Sequence, residues 1–206
     1  MMMTMVLGAG GCDYDVRCVV VGDDAVGKTS MLMGYATNRY PTQHVPSVFD
    51  NYAGTVRVAG RELHLQIIDT LEEEESPSVR LSEYPGTDIF VVCFSVVRPE
   101  SLQNVEDVWL PEIRAHAPHT PFILVGTQAD LREVDEILVM LREKGQQPVS
   151  AAQGSGVARR LGAACYIECS PGVEKKLRKI INSAIASVLK VKDPSSSNGH
   201  KPCTIL

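Results

Sequence analysis

The sequence lacks the segments that direct a chain into or across a membrane. No apolar run reaches the roughly 18 residues that a membrane-spanning helix needs. The first 14 residues, MMMTMVLGAGGCDY, have no basic start and are too short for a convincing signal peptide, and the Met at position 2 leaves no N-myristoylation site. We therefore expect a soluble chain unless a lipid is attached to it.

The six cysteines show neither the spacing of a secreted disulfide framework nor close metal-ligand spacing. Cys18 and Cys93 lie inside apolar runs, which favours reduced thiols in the cytosol. The net charge is −5, but from Gly172 onward seven Lys/Arg stand against two acidic residues. An acidic body argues against nucleic-acid binding, and a basic end suits an acidic membrane leaflet.

A chain of 206 residues is long enough for one domain. Short β-branched runs alternate with segments of helical period, which predicts an α/β domain with a mostly parallel six-stranded sheet covered on both faces. The exception is a hairpin through Gly60, which predicts one antiparallel edge strand. We expect an interruption at Pro111 in a helix over 100–116, and a final amphipathic helix from Val173 to Leu189. The predicted runs are 16–21, 55–59, 63–68, 88–97, 121–126 and 164–168.

The segment GDDAVGKTS (22–30) follows an apolar run and precedes a helical pattern, the context required for the phosphate-binding motif G-x-x-x-x-G-K-[ST]. In such a loop backbone N–H groups surround phosphates at a helix N-terminus. Lys28 would lie near the β- and γ-phosphates, and the Thr29 hydroxyl can bind Mg²⁺. The alternative interpretation is an ordinary glycine-bearing turn.

The segment TQAD (127–130) follows another apolar run, at a strand's carboxyl end where α/β sheets bind ligands. A carboxylate there can accept hydrogen bonds from the N1–H and 2-amino groups of guanine, a pair that adenine lacks. Asp130 would therefore select GTP over ATP. A helix-capping aspartate is the alternative interpretation.

Over residues 15–190 the chain resembles the Rho-family small GTPases, nearest the Cdc/RhoQ/RhoJ branch. The resemblance implies a P-loop GTPase (Ras-like) fold, with a helical insert near 131–149, an N-terminal extension (1–14) and a tail (192–206), both expected to be disordered. The segments that carry it are KTSMLMGYATNRYPTQHVPSVFDNYA (28–53), LSEYPGTDIFVVCFSVVRPESLQNVEDVWLPEI (81–113), FILVGTQADLRE (122–133) and YIECS (166–170).

The resemblance implies roles for individual positions. Ser47, with Thr29 and Asp69, would hold Mg²⁺, and Tyr40 would pack on the guanosine. An effector-binding stretch, called switch I in the family, would comprise Val48, Phe49, Asp50 and Tyr52, although packing is the alternative for its apolar members. The remaining nucleotide-binding positions would be Ala25, Val26, Gly27, Lys28, Ser30, Thr127, Gln128, Asp130 and Ser170.

The final residues, CTIL, resemble a C-a-a-X box ending in Leu, which implies geranylgeranylation of Cys203. One lipid needs a second signal for stable attachment, and Lys190, Lys192 and Lys201 supply a weak one. We expect exchange between the cytosol and the cytoplasmic face of the plasma membrane or endomembranes. Exchange factors, a dissociation inhibitor and control of actin and cell shape are also implied.

The segment DTLEEEE (69–75) departs from the Asp-Thr-Ala-Gly-Gln-Glu of the family's switch II. Glu72 replaces a hinge glycine, and Glu73 replaces the glutamine that orients the attacking water. Asp24 replaces a phosphate-loop glycine beside the γ-phosphate. Both Glu73 and Asp24 predict slow hydrolysis and poor stimulation by an arginine finger, although Lys28 and Asp130 are intact.

Three functions follow as hypotheses. The first is a GTP-loaded binding module with impaired hydrolysis. The second is an ordinary GTPase in which Glu73 acts as a base. The third is a pseudo-GTPase scaffold that binds GDP or no nucleotide. Ser47, His44 and Pro171 also depart from the family pattern and keep the third hypothesis open. Pro171, for example, lacks the N–H that would bind the base oxygen.

Overall fold

The computed structural model describes residues 14–37, 51–58, 61–70, 77–170 and 173–192. The strands are β1 (Tyr14–Val21), β2 (Asn51–Val58), β3 (Arg61–Asp69), β4 (Ile89–Ser95), β5 (Phe122–Thr127) and β6 (Tyr166–Glu168). The helices are α1 (Lys28–Thr37), α2 (Pro77–Ser82), α3 (Pro99–Asn104), α4 (Leu110–His116), α5 (Asp135–Glu143), α6 (Ala151–Leu161) and α7 (Glu174–Lys192). None of these helices is long and apolar enough to cross a bilayer.

The six strands form one sheet in the order β2-β3-β1-β4-β5-β6. β2 runs antiparallel to β3 at one edge, and the other neighbours are parallel, as the sequence predicts. The register pairs Val20 with Asp69 and Ser95 with Thr127. The carboxyl ends of four strands therefore meet along one edge, where a ligand site is expected.

Hydrophobic cores cover both faces of the sheet. Val16, Cys18 and Val20 of β1 face α1 and α7, whereas Val19 and Val21 face α3, α4 and α6. Such alternation follows from the two-residue period of a strand. Because both faces are buried, the central strands consist of near-continuous apolar residues, and β4 is buried along its whole length.

The final helix confirms the predicted apolar face with one correction. Its buried side chains are those of Leu177, Ile180, Ile181, Ala184, Ile185 and Val188. Val173, predicted to belong to this face, lies before the first residue of α7 and is 41% exposed. Lys175, Lys176 and Lys179 are exposed, as the period predicts.

The helical segment around Pro111 is interrupted, as expected. A π-helical turn, Val105–Trp109, separates α3 from α4, and the Leu110 N–H donates to the Val105 carbonyl. Proline has no N–H to donate to the preceding turn, and the π-helical turn ends two residues before Pro111. Because a π-helical turn contains more residues than an α-helical turn, side chains on either side of it project in different directions from those of a continuous α-helix.

The predicted insert near 131–149 contains one helix. A 3₁₀ turn, Ala129–Glu133, follows β5 and leads to α5. Leu141 of α5 is buried, whereas Val139 and Met140 are exposed. The predicted N-terminal extension and tail each overlap an ordered element by one residue, because Tyr14 begins β1 and Lys192 ends α7. Their other residues, 1–13 and 193–206, lie outside the described residues.

Candidate nucleotide-binding site

Residues 22–27 connect β1 to α1 and have a backbone that only certain residues tolerate. Gly22 has φ +144, and a Cβ there would lie 2.2 Å from the Cys93 carbonyl oxygen, so a side chain is sterically excluded. Gly27 and Ala25 also have positive φ angles, of 90° and 55°. The chain can therefore turn back on itself between the strand and the helix.

Side chains from neighbouring loops bind the outer carbonyls of this phosphate loop. Arg98 Nη1 donates to Asp24 O at 2.5 Å, and Gln128 Nε2 donates to Ala25 O at 3.3 Å. Thr127 Oγ1 donates to Val26 O at 2.5 Å. Because C=O and N–H point in opposite directions across a trans peptide, the next three N–H groups point away from these donors. Such N–H groups are suited to bind phosphate oxygens.

Lys28 is buried at the start of α1, with 6% of its surface exposed. Its ammonium group donates to the carbonyls of Gly22 at 2.6 Å and Asp23 at 2.9 Å. Within the described ranges no carboxylate lies within ion-pair distance of this ammonium. A buried positive charge whose described partners are neutral carbonyls favours an anion beside the loop.

Thr29 and Asp69 bring two oxygen ligands together beside the loop. The Thr29 hydroxyl donates to Asp69 Oδ2 at 2.5 Å, and Asp69 is buried at the end of β3. The next residue fixes the chain, because Thr70 Oγ1 donates to Val20 O at 2.7 Å. Hydroxyl and carboxylate oxygens are the ligands that Mg²⁺ prefers, so this pair fits that ion.

A cavity of about 130 Å³ lies beside α1 and between the loops that follow β5 and β6. Its lining includes Gly27, Gln128, Asp130 and Ser170. Asp130 is exposed and belongs to the first turn of the 3₁₀ segment, whose N-cap is Gln128. The helix-capping interpretation of Asp130 is therefore wrong, and Asp130 is one of the residues that line the cavity.

A family model described as the Ras family matches residues 17–190. The chain belongs to the Ras family of small GTPases. Ras-family proteins bind GTP and GDP, generally with Mg²⁺, and generally bind effectors and exchange factors. The phosphate loop, the Thr29–Asp69 pair and Asp130 lie on one edge of the sheet, which agrees with GTP binding in this family.

The predicted site residues divide into those that the structure brings together and those outside its described ranges. Along this edge of the sheet lie Asp24, Ala25, Val26, Gly27, Lys28, Thr29, Ser30, Asp69, Thr127, Gln128, Asp130 and Ser170. Tyr52 belongs to β2, where its backbone is opposite Ile67. Tyr40, Ser47, Val48, Phe49, Asp50, Glu73 and Cys203 lie outside the described residues, so their roles stay predictions.

Gln128 connects the segment that follows β5 to the phosphate loop. Its backbone is left-handed, with φ 56°. Its side-chain oxygen accepts a hydrogen bond from Ser95 Oγ at 2.5 Å, while its nitrogen binds the Ala25 carbonyl. In this Ras-family protein the Gln128 side chain therefore links the end of β4 to the phosphate loop by two hydrogen bonds.

A second connection, which we call the Trp109 network, reaches the loop at Asp23. Asp23 Oδ1 accepts from Trp109 Nε1 and Oδ2 from Asn104 Nδ2, both at 2.7 Å. The Arg80 guanidinium of α2 lies over the Trp109 ring, 5.1 Å from its centroid. The same guanidinium donates to both carboxylate oxygens of Glu112, at 3.1 and 2.7 Å. The phosphate loop is thereby joined to α2, the helix that follows the acidic run.

Glu112 is charged and partly buried within this network. Burial alone would raise its pKa, but hydrogen bonds from Arg80 and Tyr84, with the Arg80 charge, hold the pKa of Glu112 below its ordinary value. The Tyr84 hydroxyl donates to Glu112 Oε1 at 2.6 Å. Burial and this carboxylate raise the pKa of Tyr84 above its ordinary range. The carboxylate therefore stabilises the fold in its ionised form.

A similar group of side chains lies beside β6. Arg132 donates to both oxygens of Glu168, at 3.0 and 2.6 Å, and the Tyr166 hydroxyl donates to the same carboxylate at 2.8 Å. A Cβ at Gly126 or Gly154 would lie within 2.7 Å of the Tyr166 hydroxyl oxygen, so close packing of this ring requires both glycines. The ring and the ion pair hold β6 and the cavity wall in place.

The cysteines in the described ranges are free thiols. Burial raises the pKa of Cys18 and of Cys169 to about 12, and Cys93 shifts in the same direction for the same reason. These thiols are therefore protonated and poorly nucleophilic.

Sequence reasoning missed Arg98, Asn104 and Trp109 as partners of the phosphate loop. Asn104 and Trp109 stand five positions apart, a spacing that an α-helix places on different sides, and the π-helical turn brings both toward Asp23. The expected break at Pro111 was the one sequence feature that indicated an altered helical spacing in this segment. Arg98 lies three positions after the end of β4, in a short connection that has no periodic pattern.

Proposed function

We propose that this protein is a Rho-type GTP-binding signalling protein that engages effectors through switch I and hydrolyses GTP slowly. The observation that carries the proposal is the convergence of Lys28, the Thr29–Asp69 pair and Asp130 on one edge of the sheet. These residues supply contacts for the phosphates, the metal and the base. The described residues therefore include a candidate for each part of nucleotide binding.

Each retained residue would act by position and charge. The N–H groups of the phosphate loop would bind the phosphate oxygens, and Lys28 would add its charge at the β- and γ-phosphates. Thr29 and Asp69 would hold Mg²⁺, which when bound neutralises charge on the β- and γ-oxygens. Asp130 would accept hydrogen bonds from the guanine base.

Slow hydrolysis is proposed from Asp24 and Glu73. Asp24 is partly buried, and its carbonyl is bound by Arg98, so the carboxylate belongs to a fixed part of the loop. A side chain at this position would intrude on the space of the attacking water, of the water-orienting residue and of an incoming arginine finger, which slows hydrolysis. An ionised Glu73 offers acceptors only and cannot donate to the developing charge as glutamine does.

The cellular parts of the proposal rest on the resemblance and the tail. Effectors would bind Val48, Phe49, Asp50 and Tyr52, and exchange factors and a dissociation inhibitor would act on the same protein. Geranylgeranylated Cys203 would attach it to the cytoplasmic face of the plasma membrane or endomembranes, in exchange with the cytosol. The output would be control of the actin cytoskeleton and cell shape.

Nucleotide selectivity is the first test of this proposal. Fluorescent GTP and GDP analogues are titrated into the purified full-length chain with Mg²⁺, and unlabelled GTP or ATP is used as the competitor. We expect GTP to compete at least about a hundredfold better than ATP, because a base site built on hydrogen bonds rejects a base that cannot make them. Asp130→Asn should remove most of this preference, whereas Asp135→Asn, on the neighbouring α5, should retain it.

The other two hypotheses predict different results. An ordinary GTPase would bind equally well and would release phosphate at a rate normal for the family. A pseudo-GTPase would show no GTP binding, with or without Mg²⁺. Absence of binding would overturn the proposed function.

A further inference from the structure

Arg98 occupies a fixed place between β4 and α3. Its N–H donates to the Ser95 carbonyl at 3.1 Å, and its own carbonyl accepts from the Ser101 N–H at 2.9 Å and from the Ser101 hydroxyl at 2.6 Å. These bonds define the turn in which Arg98 is the N-cap residue of α3. The backbone therefore projects this side chain from a rigid base at the ligand edge of the sheet.

The guanidinium of Arg98 contacts the phosphate loop at one position. Its Nη1 donates to the Asp24 carbonyl at 2.5 Å across 74 positions of the chain. Among the described residues, Arg98 also pairs with Glu100 on the following helix, 3.6 Å from Nε, and both side chains are more than a third exposed. An ion pair of this length and exposure neutralises little of the arginine charge.

Arg98 contacts Asp24, the residue that stands where the family pattern has a phosphate-loop glycine. Covalent geometry keeps a carboxylate within about 6 Å of the carbonyl oxygen of its own residue. The Arg98 guanidinium therefore lies within the range over which opposite charges interact at a partly buried site. Bound nucleotide would add several negative charges to the inner side of the same loop.

We propose that Arg98 is a positioning residue that makes the phosphate loop tolerate the Asp24 carboxylate. By donating to the Asp24 carbonyl it directs the following N–H away from itself and toward the phosphates, and its charge offsets the carboxylate. GTP depends on this offset more than GDP, because the γ-phosphate brings additional negative charge to residue 24. The inference rests on the proposed function, since it concerns the affinity of the same site.

A double-mutant cycle tests the inference. Dissociation constants for fluorescent GTP and GDP analogues are measured with Mg²⁺ on the full-length chain and on Arg98→Met, Asp24→Gly and the double variant. We expect Arg98→Met to weaken GTP binding about tenfold, as for loss of one charge-assisted contact, and GDP binding about threefold. In the Asp24→Gly background its effect on GTP should fall to about threefold, because only the carbonyl contact remains to be lost.

Two further variants distinguish the effect of the Arg98 charge on affinity from nonspecific effects of a substitution in this segment. Arg98→Lys keeps the charge and should bind GTP within about threefold of the unmodified chain. Glu100→Gln removes the neighbouring carboxylate without touching the phosphate loop, so its affinity should change less than twofold. Thermal unfolding of each variant shows whether the fold is intact, which is expected because Arg98 is 38% exposed.

The inference is overturned if Arg98→Met weakens GTP binding equally with and without Asp24, or weakens GDP as strongly as GTP. In those cases the chain still binds nucleotide, and the proposed function stands. If the unmodified chain binds neither nucleotide, the proposed function and this inference both fail.

Discussion

Replacing Trp109 with phenylalanine tests whether the Trp109 network holds the phosphate loop in place. The substitution removes the N–H that donates to Asp23 at 2.7 Å and leaves Asn104 as the remaining donor of this pair. A hydrogen bond to a charged group contributes about 1.5–3 kcal/mol. Asp23 is partly exposed, so water can replace part of the lost bond and the lower end of this range applies.

Packing adds a second contribution to the cost. Trp109 is 1% exposed, so the smaller ring leaves space worth about 1 kcal/mol. The weaker contact of Arg80 with the phenylalanine ring adds about 0.5 kcal/mol. The sum is about 3 kcal/mol, which corresponds to a decrease in Tm of about 6–12 °C for a domain of this size.

Thermal unfolding at a fixed concentration of GDP and Mg²⁺ measures this loss, because bound ligand itself shifts the midpoint. The matched control is Val108→Ala, one position earlier and 47% exposed, which should change stability by no more than about 0.5 kcal/mol. Trp109→Phe should also release a fluorescent GDP analogue faster than the control. A Tm within 2 °C of the control, with unchanged release, would refute the reasoning.

Three further predictions address acid stability, hydrolysis and the lipid. Because the fold lowers the pKa of Glu112, its stabilising effect is complete above the unfolded-state pKa and is lost as pH falls through the folded pKa. Glu112→Gln should therefore lose at least about 1.5 kcal/mol at pH 7 through its bonds with Arg80, and urea unfolding should show this difference shrinking below about pH 4. Combining Asp24→Gly with Glu73→Gln should raise single-turnover phosphate release at least about tenfold, and an unchanged rate would contradict the proposed cause of slow hydrolysis. Cys203→Ser should move the protein from the membrane fraction to the cytosolic fraction of cells, and continued membrane attachment would exclude the proposed lipid.

Local sequence patterns predicted the sheet and the ligand edge because these depend on short-range order. Apolar runs placed the strands, and the hairpin through Gly60 gave the antiparallel edge strand that the structure confirms. GDDAVGKTS and TQAD each follow a buried strand, so their arrival at one edge follows from parallel topology. β6 is shorter than predicted, beginning at Tyr166 rather than at Ala164.

The supporting contacts could not be predicted in the same way. The bonds from Arg98 to Asp24 and from Trp109 to Asp23 span 74 and 86 positions, and no periodicity encodes which side chains meet across such a separation. The left-handed backbone of Gln128 is equally hidden, because glutamine carries no preference for positive φ. These contacts determine how rigidly the predicted residues are held.

The central claim is that this protein binds GTP and turns it over slowly. The most direct measurement is chromatography of the nucleotide extracted from the purified full-length protein, followed by a single-turnover assay with labelled GTP and Mg²⁺. We predict that the protein retains GTP and releases negligible phosphate over many minutes. Phosphate release at the rate of an ordinary family member, or purified protein that holds and binds no guanine nucleotide, would contradict the account.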